Sequence, residues 1–309
     1  MARRRPRGRA VNGILLLDKP VGLTSNAALQ QVKRLFKAAK AGHTGNLDPL
    51  ASGLLPLCFG EATKFSAFLL DSDKHYIGTC KLGVTTTSAD AEGEVLERKP
   101  VGNYSRAEIE AVLAGFVGEI EQIPPMHSAI KVNGQPLYKL AHQGKEIARE
   151  PRRITIYALE LVSLEGDELV LDVRCSKGTY VRTLAEDIGR QLGCGAHLSA
   201  LRRTGAGPFS IDRAVPLSEL EQLAESGLAA LDQALLPIEA ALEDWPRLLL
   251  TDNTAYYLRQ GQAVQIPQAP TSGLVRLFVG AQDQSRFIGV GRILADGRVA
   301  PQRLVSHPG

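Results

Sequence analysis

The chain has little of what metal, redox and membrane functions require. Its 309 residues include four cysteines, at 58, 80, 175 and 194. None form a CxxC pair, so neither a zinc site nor a disulfide framework is suggested, and a reducing cytoplasm is the expected setting. No apolar run approaches the roughly 20 residues that span a bilayer, so no membrane partner is expected. Val11 to Leu17 is apolar but short, and Asp18-Lys19 closes it, which argues against a signal peptide. Aromatic residues make up 5%, with a single Trp. Apolar residues at 44% and charged residues at 22% are ordinary for a globular chain, and the length suits about two domains.

Net charge is +3, but it is unevenly placed. Five of the first ten residues are Arg, read here as a flexible basic tail. Residues 131–153 hold six Lys or Arg against two Glu. Residues 247–309 hold seven Arg against three Asp, with no Lys and no Glu. By contrast, Pro216 to Trp245 carries seven acids and no Lys or Arg. Basic surfaces set apart from an acidic segment point to a polyanionic partner, nucleic acid above all.

Hydrophobic patterning predicts mixed α and β structure with many antiparallel strands. Strands are expected at 13–18, 53–59, 75–84, 154–164, 168–175, 197–204 and 208–212. Helices are expected at 25–38, 61–70, 105–116 and 180–192, the third opened by a Ser105/Glu108 capping box. The acidic 217–244 segment reads as helical, with Trp245 packing at a joint. Residues 121–153, polar and broken by Pro124-Pro125, read as a mobile arm over a site. From 247 a helix and short strands suggest a small β-rich domain, leaving 11–246 as the catalytic unit.

Gly42 to Gly53 read GHTGNLDPLASG. Asp48 sits before Pro49, which keeps it out of a helix. A carboxylate fixed in such a loop is either a nucleophile or an Asx-turn residue. Further motifs lie along the chain: Leu17-Asp-Lys-Pro20 with Gly22, Thr24 and Ser25; Lys177-Gly-Thr-Tyr180-Val-Arg182; and Leu201-Arg-Arg-Thr-Gly205.

In order and over nearly the whole chain, these segments resemble the TruB-type tRNA pseudouridine synthases. The final segment resembles the PUA-like RNA-binding module of bacterial members. The resemblance implies an α+β fold: a mixed, largely antiparallel sheet flanked by helices, plus the small β domain. It implies isomerisation of uridine to pseudouridine at position 55, in the tRNA T loop, with no metal and no organic cofactor. tRNA is the implied partner, bound through its T arm; a monomer without obligate protein partner is expected.

The chemistry fits the residues. A carboxylate stabilises an electron-poor sugar as in retaining glycosidases, which need a second acid to activate water. An isomerase uses no water, so Asp48 alone is enough; attack on the sugar and attack on the base both fit. Arg182 is expected to pair with Asp48 and hold its pKa low. Tyr76 and Tyr180 are expected to stack against a flipped uracil, with the Tyr76 phenol assisting proton removal from C5. Leu201 offers an apolar contact to the base, and the family's His at His43 fills the gap left by the flipped nucleotide. Asp90 is expected to orient Tyr76 or the base, and Lys19 and Pro20 to buttress the loop. Lys131, Lys139, Lys145, Arg149, Arg152 and Arg153 are candidate phosphate contacts. Two rivals remain: an idle RNA-binding or tRNA-folding protein on the same surface, and a nucleoside hydrolase built on Asp48.

Overall fold

Residues 8–306, other than 129, 133, 142, 282 and 283, are described by a computed structural model, with 131, 136 and 138 described by backbone alone. The opening apolar run forms β1 (Gly13–Lys19), buried along its length except at Asp18. A strand covered on both faces shows no alternation, which is why GILLL has no period. Thr24 caps α1 (Ser25–Leu35), its hydroxyl accepting from the Ala27 N–H at 3.1 Å. β2 (Ala41–His43) and β3 (Ala51–Phe59) flank the Asp48 loop. A 3-10 turn and α2 (Ser66–Leu70) lead to β4 (Lys74–Leu82), whose residues alternate strictly between buried and half-buried.

A hairpin of β5 (Val84–Thr86) and β6 (Val95–Arg98) follows, and α3 (Arg106–Ala114) opens with the expected Ser105/Glu108 capping box. β7 (Gly118–Gln122) enters the arm, which holds the two-residue β8 (Lys131–Val132) and β9 (Gln135–Pro136) and the short α4 (Leu137–Ala141). β10 (Arg152–Glu165) and β11 (Glu168–Cys175) form a long hairpin ahead of α5 (Val181–Gln191). β12 (Ala196–Ala206), β13 (Phe209–Ser210) and β14 (Val215–Pro216) complete the large sheet.

That sheet runs β14-β1-β3-β12-β4-β11-β10-β7, with β2 on β3 and β13 on β12. Only β1/β14 and β3/β12 are parallel among these pairs. The β3/β12 junction sets Ala51, Ser52 and Gly53 beside Leu201, Arg202 and Arg203. Across β12, Arg203 faces Tyr76 on β4. Three segments far apart in sequence thus meet at the middle of one sheet.

Three expectations change. The ends assigned to the arm belong to the sheet, where Arg152 pairs with Gln122 and Arg153 with Glu121. The acidic segment is broken into α6 (Leu217–Glu225), α7 (Leu228–Gln233) and a 3-10 turn at Ile238–Leu242. Gly227, at φ +109°, separates α6 from α7, and Pro237, expected to punctuate the segment, caps the 3-10 turn. Arg9, placed in the tail, is docked: its guanidinium donates to Asp232 at 2.8 Å and its N–H to the Lys37 carbonyl at 2.7 Å. The first seven residues of that tail lie outside the described residues.

The C-terminal unit packs α8 (Asp252–Arg259) with a sheet of order β15 (Arg247–Leu250), β16 (Leu274–Val279), β17 (Arg286–Ile293) and β18 (Val299–Leu304). It shares a core with the large sheet. Phe65 lies against Phe287 with centroids 5.6 Å apart, and Trp245 meets Phe68 edge-on at 4.9 Å. Lys64 Nζ bridges the joint to the Leu304 carbonyl at 3.1 Å. Phe65 is fully buried, so Phe65→Ala is expected to cost about 3–5 kcal/mol. Urea unfolding measures this; a loss under about 1 kcal/mol would show that the joint carries no shared core.

Candidate active site

The Asp48 loop is held on both sides of its carboxylate. The Ser25 hydroxyl accepts from the Leu47 N–H at 2.7 Å and donates to the Leu47 carbonyl at 3.0 Å. The Gly22 N–H donates to the Pro49 carbonyl at 2.7 Å. Lys19, wholly buried, fixes the turn that carries Gly22 by donating from Nζ to the Pro20 and Leu23 carbonyls at 2.8 and 2.6 Å. Beyond the loop, Gly53 adopts φ +98°, and a Cβ there would stand 2.3 Å from the Arg203 carbonyl oxygen. No other residue type lets β3 approach β12 so closely.

Arg182 is the hub. Its side chain is 6% exposed, and Nε lies 3.0 Å from Asp48 Oδ2 while Nη1 lies 3.4 Å from Asp90 Oδ2. Nη1 also donates to the Ser88 carbonyl at 3.2 Å, and Nη2 to the His127 carbonyl at 2.7 Å. Asp90 therefore orients Arg182. It is itself held by the Ser88 hydroxyl and by the Glu92 N–H at 3.1 Å. The backbone around it is fixed to β12, with the Leu198 N–H donating to the Ala89 carbonyl at 3.0 Å.

The Asp48 carboxyl is raised above the ordinary carboxylate range, against the expectation that Arg182 would hold it low. Burial in the cleft is the chief cause, Arg182 opposes it, Asp90 adds to it, and Lys19 and His127 oppose it further. One cation shared between two carboxylates cannot fully offset the loss of water for both. Because 41% of the Asp48 side chain still meets solvent, the upward push is tempered. Two further acids thus stand near Asp48, which its own motif does not reveal. Asp90 is locked as described, and the Glu92 carboxylate accepts from the Leu50 backbone. Asp90 is thereby withheld from activating a water, while Glu92 stays exposed.

Tyr76 is buried at 9% exposure on the cleft floor, and its phenol is raised chiefly by burial, with Arg203 opposing. Tyr180 caps α5; Gln122 clasps its backbone, accepting from the Tyr180 N–H at 3.0 Å and donating to its carbonyl at 3.3 Å. Leu201 is half-buried on β12 between Ala51 and Gly78. His43 lies on β2, its Nδ1 buried without a partner among the described residues, and burial followed by Arg203 keeps the imidazole below its usual pKa. Pro20 is exposed and contributes only its carbonyl to Lys19.

The basic arm is less uniform than its composition. Lys139, Lys145, Arg152 and Arg153 are exposed, but Arg149 donates to the Pro124 carbonyl at 3.3 Å and to Glu146 at 3.2 Å. The Lys131 side chain lies outside the described residues. Sequence reading assigned no role to Ser25, Ser88, Glu92, Gln122, His127 or Arg203. Of these, Ser25 and Arg203 carried a signal, since they lie inside the first motif and the LRRTG segment.

Comparison with known proteins gives the class of this fold and cleft, the pseudouridine synthases. Three consecutive family models cover the chain: the TruB family pseudouridylate synthase N-terminal domain at 33–181, the tRNA pseudouridylate synthase B C-terminal domain at 182–243, and the pseudouridine synthase II TruB C-terminal region at 246–305. The chain belongs to the TruB family. It is 60% identical over 299 residues to tRNA pseudouridine synthase B of Ectopseudomonas mendocina (strain ymp), covering 96% of each chain. The enzyme of the same name from Nitrosococcus oceani is 57% identical over 302 residues, covering 98% of this chain and 97% of that one. Among solved structures, a Cbf5-Nop10-Gar1 complex matches with TM-score 0.73 and 27% identity, covering 94% of this chain and 84% of its counterpart.

The raised Asp48 carboxyl has a consequence for stability. The native protein binds that proton more tightly than the unfolded chain does, so ionising Asp48 costs folding free energy. The cost is present above the folded pKa and is relieved as pH falls through it. Asp48→Asn is therefore expected to melt at or above the wild-type temperature near neutral pH, with the gap closing on acidification. Scanning calorimetry across that range checks it; an Asn variant melting about 5 °C or more below wild type would contradict the burial argument.

Proposed function

We propose that the protein isomerises uridine to pseudouridine at position 55 in the T loop of tRNA, with Asp48 as nucleophile. The observation that carries this reading is the Asp48–Arg182 pair at 3.0 Å beside Tyr76, with the neighbouring Asp90 held by the same guanidinium. The N1–C1′ bond breaks, the uracil turns in place, and a C5–C1′ bond forms. No water enters, so no free general base for water is needed. Arg182 fixes the Asp48 rotamer and balances its charge when the carboxylate is ionised.

A target base inside a folded loop must first be flipped out, at a cost of a few kcal/mol. Tyr76 and Tyr180 offset that cost by stacking, Leu201 supplies an apolar contact, and His43 fills the vacated space. His43, kept neutral by burial, suits stacking better than charge pairing. Exposed Arg and Lys on the arm and on the β-rich C-terminal domain grip phosphates. The protein works as a cytoplasmic monomer, without cofactor or obligate protein partner.

Asp48→Asn is expected to abolish pseudouridine formation in unmodified tRNA while tRNA affinity stays within about threefold of wild type. Residual activity within about tenfold of wild type would exclude the nucleophile role. The C-terminal domain shares a core with the sheet, so charge removal tests it more cleanly than deletion. Arg292 and Arg303 are exposed on β17 and β18. Replacing both by Ala should weaken tRNA binding and lower its salt dependence by about two ions, leaving the rate on saturating tRNA unchanged. An unaltered salt slope would remove this face from the RNA-binding surface.

A further inference from the structure

Arg203 is among the largest fully buried side chains, at 1% exposure. Its neighbour Arg202 turns to the other face of β12 and holds Asp18 at 2.7 Å. Among the described residues no carboxylate pairs with Arg203. Nε donates to the Leu54 carbonyl at 2.7 Å and Nη1 to the Asn46 carbonyl at 3.4 Å. Both acceptors belong to the segment that presents Asp48. Nη2 is closed to solvent and has no well-formed partner. A buried cation without a counter-charge is unfavourable, so its presence beside the cleft needs a reason. Phosphate or base binding is excluded, because Nη2 has no access to a ligand.

What the guanidinium does reach is Tyr76. The two residues are direct cross-strand partners, Arg203 on β12 opposite Tyr76 on β4, so their side chains share one face of the sheet. From that position the guanidinium's charge favours the phenolate of Tyr76. Cys175 on β11 and Asp48 from the loop also act on that phenol, and both disfavour its ionisation. Arg203 is likewise felt by Lys19, His43 and Lys74 around it, each of which it disfavours as a cation. Arg203 thus supports the phenolate where Cys175 and Asp48 oppose it.

We propose that Arg203 is a positioning residue for the isomerisation: it ties the Asp48 loop to the sheet through Leu54 and Asn46 and sets its free charge behind Tyr76, so that the Tyr76 oxygen can take the proton leaving C5. This rests on the reading of the protein as a uridine isomerase. As the N1–C1′ bond breaks, the Tyr76 phenol gives its proton to N1 and becomes the phenolate. Once C5 has bonded to C1′, C5 gives its proton to that phenolate and the C5–H electron pair restores the ring double bond, so Tyr76 ends as the phenol and no net proton is consumed. Arg203 acts only through Tyr76 and the loop.

The test places 3,5-difluorotyrosine at position 76, whose acidic phenol titrates in an accessible range, and follows its ¹⁹F resonance against pH. Arg203→Gln keeps a donor for the Leu54 carbonyl and removes the charge. It should raise the ¹⁹F midpoint by about one pH unit or more, whereas Arg203→Lys should leave it within about half a unit. With ordinary Tyr76, Arg203→Gln should slow single-turnover isomerisation about a hundredfold and leave KM for tRNA within about threefold. An unmoved midpoint in folded Arg203→Gln overturns the proposal, as does a raised KM with unchanged rate. If the Gln variant does not fold, a midpoint displaced by more than about one unit in Arg203→Lys overturns it, and one within half a unit supports it. The ¹⁹F readout needs no turnover, so its failure is distinct from a failure of the isomerase reading, which the Asp48→Asn assay decides.

Discussion

Arg182 carries a positive charge into a place where water cannot solvate it, and the cleft is organised around answering that charge. Two carboxylates and two carbonyls converge on one guanidinium, from the Asp48 loop, the Ser88–Asp90 turn and the root of the arm. Because one buried guanidinium binds all of them, the three segments are fixed relative to one another. The arrangement also divides the labour between the acids. Asp90 is held in the interior, while Asp48 keeps an open face toward the cleft. That asymmetry fits a structural role for Asp90 and the nucleophile role proposed for Asp48.

The remaining charges near the cleft are mostly positive and mostly enclosed. Burial pushes Lys19 down to about 8, and Lys74, which donates to the Leu69, Leu70 and Ser72 carbonyls, is also pushed down to about 8. Arg203 adds to both shifts and to that of His43. The interior behind the Asp48 loop is therefore electropositive, which suits a site that receives a polyanion and develops negative charge on a departing base. The sheet makes this possible. Only the parallel β3/β12 junction sets the loop, Arg203 and Tyr76 side by side, and only a glycine at 53 lets those strands close.

Much of this was legible in the residues, for local reasons. The Ser105/Glu108 box and the alternation along β4 act within a few residues of themselves, so pattern alone locates them. Asp48 and Arg182 stand out because each lies in a recognisable segment, whereas Tyr76 lies in none and is implied by the family resemblance alone. What pattern could not supply was partnership across the fold. Asp90 and Glu92 are distant from Asp48 in sequence, and only the turn fixed to β12 brings them in. Arg202 and Arg203 are adjacent and chemically identical, yet strand alternation sends one to Asp18 and the other into the core. Arg149 read as a phosphate ligand because composition does not show that the Pro124 carbonyl and Glu146 already engage it. The expected low pKa of Asp48 failed for the same reason: Arg182 was counted as its sole partner, and burial was not counted.

The account stands on a single reactive carboxylate performing a water-free rearrangement. Its most direct test is to treat unmodified tRNA with the wild-type protein, weigh the product by mass spectrometry, and map the modified base by pseudouridine-specific chemistry. Conversion of one T-loop uridine at position 55 with no change in mass is the predicted result. Release of free uracil, leaving an abasic site, would contradict it and return Asp48 to the chemistry of a hydrolase.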